Sequence, residues 1–156
     1  VFRDELGNLF PDDLDALRLA RAARTLGEFL TERDYRPPAL PREALVQTHC
    51  HDHAVLRPDA DRVLLTAMGM NARYPDSGCC GMAGSFGFES GERYRVSMAA
   101  GERVILPEVR RAGPETCVIA NGFSCREQIT QATGRRPWHL AEAIRLAIHE
   151  EKGKYP

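Results

Sequence analysis

The sequence predicts an α/β fold, a layered domain with a short, mostly parallel sheet flanked by helices. Three observations lead there. Short apolar runs such as Cys117-Val118-Ile119-Ala120 show no polar alternation, as expected of strands buried on both faces. These runs alternate with longer stretches whose apolar residues recur at helical spacing. The 156 residues are 43% hydrophobic and 28% charged, a balance that supports one packed core.

The chain opens on Val1-Phe2-Arg3-Asp4-Glu5-Leu6, without an initiator methionine, and this opening reads as the middle of a longer polypeptide. Residues 1–156 are expected to form a single cysteine-rich domain of a larger protein, with 1–41 an N-terminal helical segment and linker. Pro11-Asp12-Asp13 suits a helix start, because proline and acids favour the first turn. Leu14, Leu17, Ala20, Ala23, Leu26 and Leu30 continue that helix to residue 32. Arg36-Pro37-Pro38-Ala39-Leu40-Pro41 stops it and serves as a rigid connector.

Ala44-Leu45-Val46-Gln47-Thr48-His49 is a short buried strand that delivers Cys50 at its end. Residues 59–69 form a helix with Val63, Leu64, Ala67 and Met68 on its apolar side. Residues 70–74 form a second strand that leads into Gly78-Cys79-Cys80-Gly81. Residues 89–112 are the longest helical stretch, with Tyr94, Met98, Val104 and Val109 as core positions. Gly101 and Pro107 predict a kink there, or two helices in series. Gly113-Pro114 stops it. Residues 117–120 form the third strand, 121–125 a turn, and 126–133 a helix. Residues 138–151 form the last helix, with Leu140, Ala143, Ile144 and Ala147 on one side.

Composition excludes several classes of function. The formal net charge is −1, so no basic face for nucleic acid is expected. No apolar run approaches the ~18 residues of a transmembrane helix. Five cysteines, an odd number, without a visible signal peptide, point away from a disulfide framework. They favour metal or redox chemistry in a reducing compartment. The expected location is cytoplasmic, with peripheral attachment to the inner face of the membrane as a second option.

The functional signal lies in the cysteines. Asp76-Ser77-Gly78-Cys79-Cys80-Gly81-Met82-Ala83-Gly84 sets two adjacent thiols between glycines. Neighbouring side chains of an extended strand point to opposite faces, so both thiols serve one site only if the backbone turns. Gly78 and Gly81 permit that turn. Cys50, Cys79, Cys80 and Cys125 all fall at or just past predicted strand ends. Sites in open α/β sheets assemble in the crevice beyond those ends. The gaps between these cysteines fit neither paired zinc knuckles nor a bacterial ferredoxin run. Cys117 begins its strand, at the opposite end, and reads as a packed core thiol.

These residues resemble a cysteine-rich CCG domain, as found in heterodisulfide reductase, in the glycolate oxidase iron–sulfur protein and in the C-terminal region of FAD-linked oxidases. The matching stretches are His49-Cys50-His51, the run from Asp76 through Gly84 continued by Ser85-Phe86-Gly87, and Ala120-Asn121-Gly122-Phe123-Ser124-Cys125-Arg126-Glu127-Gln128-Ile129. The resemblance implies that Cys50, Cys79, Cys80 and Cys125 ligate an iron–sulfur cluster of 4Fe–4S type. It also implies electron exchange with a flavin-containing dehydrogenase region or subunit, and with an electron acceptor. FAD belongs to that partner region. The family's last element is commonly Cys-x-x-Cys, and here Gly122 stands where its first cysteine would be. Four thiolates still suffice for a 4Fe–4S cube or for tetrahedral zinc.

His49, His51 and His53 alternate around Cys50. If the strand persists, they share one face while Cys50 and Asp52 take the other. His49 or His51 would then donate an N–H to a cluster sulfur, and Asn121, Ser85 and Ser124 are further donors. The expected function is an electron-transfer domain of an FAD-linked oxidoreductase of glycolate oxidase or 2-hydroxy-acid dehydrogenase type, its non-catalytic redox part. The alternative is a structural zinc domain that assembles subunits. A thiol–disulfide catalyst is weaker, because no Cys-x-x-Cys precedes a helix. No dinucleotide fingerprint or nucleophile elbow marks a complete small-molecule enzyme.

Overall fold

Three strands form one parallel sheet in the computed structural model, which describes residues 1–56 and 59–153. β1 (Glu43–Gln47) is central, with β2 (Asn71–Arg73) on one side and β3 (Cys117–Ala120) on the other. Glu43 lies opposite Asn71, Ala44 opposite Cys117 and Gln47 opposite Ala120. Trp138 extends the edge beyond β3: its N–H donates to the Val118 carbonyl at 2.8 Å, and its carbonyl accepts from the Ala120 N–H at 2.9 Å. The predicted fold class is the observed one.

Period-two alternation divides the strands between two cores. Ala44, Val46, Cys117 and Ile119 pack with Leu64, Leu65 and Met68 of α5 (Asp59–Ala67 and the turn after it) and with Leu140, Ala143, Ile144 and Ala147 of α9 (Leu140–Lys152). Leu45, Val118 and Ala120 pack with Ile105, Leu106 and Val109 of α7 (Ile105–Arg111) and with Ile129 of α8 (Phe123–Thr133). Helices thus cover both faces, which is why the strands carry no polar alternation.

Local chemistry moves several predicted boundaries. The expected helix over residues 11–32 is two helices, α2 (Leu14–Ala22) and α3 (Leu26–Glu32), preceded by a short unforeseen α1 (Glu5–Leu9). The apolar period runs through the break, but Thr25 caps α3. Its hydroxyl accepts the Glu28 N–H at 3.2 Å, and the Glu28 carboxylate accepts the Thr25 N–H at 2.9 Å. Arg3 pairs with the same carboxylate at 2.8 Å, which ties the N-terminal segment to α3.

Residues 89–112 also form two helices in series, α6 (Glu92–Glu102) and α7, but the break falls at Arg103 and Val104. Pro107 sits in the first turn of α7, where a missing N–H costs no helical bond. Tyr94 is exposed and Ile105 and Leu106 carry the burial expected of it. α8 starts at Phe123, so Ser124 and Cys125 are helical and not in a turn. β1 ends at Gln47, and Cys50–Ala54 form a short helix, α4. The strand alternation of His49, His51 and His53 therefore does not occur. Among the described residues, no helix is long and apolar enough to cross a membrane.

Candidate functional site

All three strands are parallel, so their C-terminal ends share one edge of the sheet. The segment after each strand brings a thiol to that edge. Cys50 opens α4 after β1, Cys79 and Cys80 lie in the loop after β2, and Cys125 lies in the first turn of α8 after β3. Cys117 starts β3 at the opposite edge, buried among apolar side chains, and burial pushes its thiol up.

The four thiols form two pairs. Cys80 and Cys125 are buried, with their sulfurs 3.4 Å apart. Cys79 is exposed and Cys50 half-buried, and both line an open pocket of about 270 Å³ beside His53, Arg62 and Tyr74. In the buried pair the Cys125 thiol donates to Cys80, and this lowers Cys80 to about 6 against the opposing effect of burial. The Met82 N–H and the nearby His49 ring help to hold the Cys80 thiolate. Cys125 moves up, because its thiol is the donor to that thiolate and is itself buried. Burial raises Cys50, and its neighbour Cys79 adds to the rise.

The glycine loop has the predicted geometry. Gly78 (φ 59°) and Gly81 (φ 81°) both take the left-handed conformation, so the chain reverses around the two cysteines. Gly81 also lies against α6: a Cβ there would come 2.7 Å from the Ala100 Cβ and 3.1 Å from the Ser97 Cα. The turn aims the Gly81 N–H at the Cys79 sulfur, 3.3 Å away. Amide donors of this kind stabilise a thiolate and tune any centre it holds.

Two buried glutamines hold the loop, and sequence reasoning missed both. Gln47, at the end of β1, donates to the Gly78 carbonyl at 3.3 Å and accepts the Ser77 hydroxyl at 2.5 Å. Gln128, on α8, donates to the Cys80 carbonyl at 2.6 Å and to the Ser97 carbonyl at 3.0 Å. The available signal was a polar residue at an otherwise apolar position. Gln47 follows Leu45-Val46, and Gln128 stands between Cys125 and Ile129 at helical spacing.

His49 is the residue before α4, and its Nδ1 lies 3.5 Å from Asp52 Oδ1. That carboxylate raises the imidazole against the effect of burial, and Cys80 adds to the rise. His51 turns away: its Nε2 lies 3.8 Å from Asp4 Oδ2 of the N-terminal segment. The Asn121 amide is committed elsewhere, donating to Asp61 and accepting the Leu140 N–H at 3.0 Å. Asp61 is pushed up to about 6 by burial, against the Asn121 hydrogen bond. It shares a small cavity of about 20 Å³ with His49, Asp52 and Tyr74.

Thiolates are soft ligands suited to zinc and to iron–sulfur clusters. Among the described residues, no three histidine, cysteine or acidic side chains close on one point as a single ion requires. An iron–sulfur cluster spreads its thiolates over separate irons, so its ligands stand farther apart than those of one ion.

Comparison with known proteins gives distant, partial likenesses. One is to a component of the anaerobic glycerol-3-phosphate dehydrogenase of Escherichia coli K12. The chain is 30% identical to it over 152 residues, 92% of the chain and 38% of that protein. It is 29% identical to the D-2-hydroxyglutarate dehydrogenase of Pantoea ananatis over 98 residues, 62% of the chain and 9% of that protein. With the D-2-hydroxyglutarate dehydrogenase of Pseudomonas putida it shares 26% identity over 110 residues, 69% of the chain and 10% of that protein. The chain thus spans well under half the length of these curated relatives, all of them dehydrogenases or dehydrogenase components by name. No protein-family model matches the chain, and no solved structure matches it significantly.

Proposed function

We propose that this chain is the iron–sulfur electron-relay region of a larger flavin-linked dehydrogenase. Cys50, Cys79, Cys80 and Cys125 would hold the cluster. The observation that carries the reading is the delivery of four thiols from three separate segments to one sheet edge, with Cys80 and Cys125 already 3.4 Å apart. The donor set fits the group: it is all sulfur, it gathers at one sheet edge, and amide N–H groups point at its sulfurs. When bound, such a cluster accepts and passes single electrons.

The chain's own residues supply the surroundings. Gly78 and Gly81 would let both adjacent thiols reach one cluster from either side, and Gln47 and Gln128 hold the Gly78 and Cys80 carbonyls by hydrogen bonds. Burial of Cys80 and Cys125 excludes water from one side, while Cys79 and Cys50 face the open pocket, the natural direction for a redox partner. The names of the relatives suggest that the partner region oxidises a small acid or phosphate ester at a hydroxyl-bearing carbon. That oxidation releases two electrons and two protons to the flavin, and the electrons then leave singly to an external acceptor. We place the assembly in the cytoplasm or at the inner face of the membrane, where thiols stay reduced.

The test compares the full-length protein with its Cys79→Ser variant after anaerobic reconstitution. Iron and acid-labile sulfide should be present in the first and fall in the second. Flavin reduction by substrate should survive in the variant, while transfer to an external acceptor fails. Zinc without iron or sulfide would favour the structural alternative, and normal onward transfer by the variant would remove the relay assignment.

A further inference from the structure

We infer that Cys80 and Cys125 form a redox switch: a hydroperoxide closes the two thiols into a disulfide, and the closed form cannot take up the cluster. The inference rests on the relay reading and names how loading of that site would be regulated.

Cys80 is fixed against α8 at two points. Its sulfur accepts the Cys125 thiol at 3.4 Å, and its carbonyl accepts the Gln128 side-chain amide at 2.6 Å. Cys125 and Gln128 stand three residues apart on one helix, so both meet Cys80 from the same helix face. A disulfide bond is about 2.05 Å long, so the two sulfurs need to approach by only roughly 1.4 Å. Gly78 and Gly81, left-handed on either side of the adjacent cysteines, are where the loop adjusts at least steric cost.

The other thiols are placed differently. Cys50 and Cys79 line the open pocket, whose wall includes neither Cys80 nor Cys125. A bond between the sequence neighbours Cys79 and Cys80 would close a strained ring, and the Cys79 sulfur instead accepts the Gly81 N–H at 3.3 Å. Cys117 lies at the opposite edge of the sheet.

Hydrogen peroxide is scarcely larger than water, and Cys80 keeps 5% of its surface exposed. The Cys80 sulfur attacks one peroxide oxygen and the O–O bond breaks. The other oxygen leaves as water with the Cys80 proton, and Cys80 becomes a sulfenic acid. The Cys125 sulfur then displaces the sulfenic oxygen, which leaves as a second water with the Cys125 proton. Two thiols are oxidised to one disulfide, and one peroxide is reduced to two waters. Cys50 and Cys79 then remain, too few for a cluster held by four thiolates.

The experiment treats the full-length protein, metal-free and fully reduced, with hydrogen peroxide under anaerobic conditions. Free thiols are blocked by alkylation, disulfides are mapped by peptide mass spectrometry, and circular dichroism controls for folding. Cys80–Cys125 should be the first bond to appear, and it should form at an unchanged rate in the Cys50→Ser/Cys79→Ser variant. Cluster uptake from iron and stoichiometric sulfide, without added thiol, should be lost in the oxidised wild type and return once a thiol reductant is supplied. A first bond at Cys50–Cys79 or Cys79–Cys80, closure that requires Cys79, or normal uptake by the oxidised form overturns the switch and leaves the relay reading standing. A fully reduced protein that takes up neither iron nor sulfide overturns the relay reading and the switch with it.

Discussion

At the amino end of β3 stands Cys117; beyond the carboxyl ends of β1, β2 and β3 stand the other four cysteines. Cys117 belongs to the buried apolar cluster that holds Ala44, Ile144 and Ala147, and burial raises its thiol against the nearby Arg42. At the other end, the Cys125 thiol donates to the Cys80 sulfur, the Gly81 N–H points at Cys79, and two buried glutamines hold the loop between them. The same side chain is thus inert filling at one end of the sheet and a potential ligand at the other. The difference lies in backbone: chain turns that leave the carboxyl edge expose N–H groups and bring distant segments together, whereas Cys117 at the amino edge sits within a paired strand.

Substitutions at the two ends should separate accordingly. The largest effect is expected from Gly81→Val. It forces a β-branched residue into φ 81° and drives its Cβ into Ala100 and Ser97. The combined strain and overpacking should cost about 4 kcal/mol, read by urea denaturation, and the thiol site should be lost with the loop. A near-neutral result would mean that the loop is not held against α6.

Gln128→Leu keeps the volume but leaves the buried carbonyls of Cys80 and Ser97 without their donor. A loss of about 3 kcal/mol is expected. The thiol pair should loosen as well, visible as faster alkylation of Cys80 in the metal-free protein. Loss of stability without faster alkylation would show that Gln128 supports the core and not the loop.

Asp61 gives a pH signature at the carboxyl edge. Its folded value of about 6 lies above the ordinary 3.8, so the folded protein binds more protons than the unfolded chain between the two. The contribution of this group to stability therefore falls as pH rises through that window. Asp61→Asn should flatten this part of the pH–stability curve and raise stability at neutral pH by about 2 kcal/mol, measured by calorimetry from pH 3.8 through about 6 up to neutral. An unchanged curve would place the titration elsewhere.

The smallest effect belongs to the amino edge. Cys117→Ala removes one buried sulfur and should cost about 1 kcal/mol. Iron content after reconstitution should not change. Loss of iron in a folded Cys117→Ala variant would erase the distinction between the two ends.

Much of this arrangement was legible in the residues. The strand runs at Ala44-Leu45-Val46 and at Cys117-Val118-Ile119-Ala120 carry their burial in their composition. The reversal at Gly78 and Gly81 follows from the one residue type that tolerates left-handed backbone. The division of the cysteines into four and one follows from their position relative to strand ends. These properties are encoded within a few neighbouring residues, where backbone sterics and burial act directly.

Other properties needed the folded chain. The break between α2 and α3 required Thr25 and Glu28 to outweigh an unbroken apolar period, and the short α4 overrode the strand alternation expected of the three histidines. That Cys80 meets Cys125, 45 positions away, depends on the register of β1 with β3 and on where α8 begins. Gln47 and Gln128 become loop anchors only once Gly78 and Cys80 lie above them. His49 takes the space beside Gly122 because two parallel strands bring the starts of α4 and α8 to the same edge. Such partnerships join residues whose separation along the chain carries no information about their separation in space, so packing alone decides them.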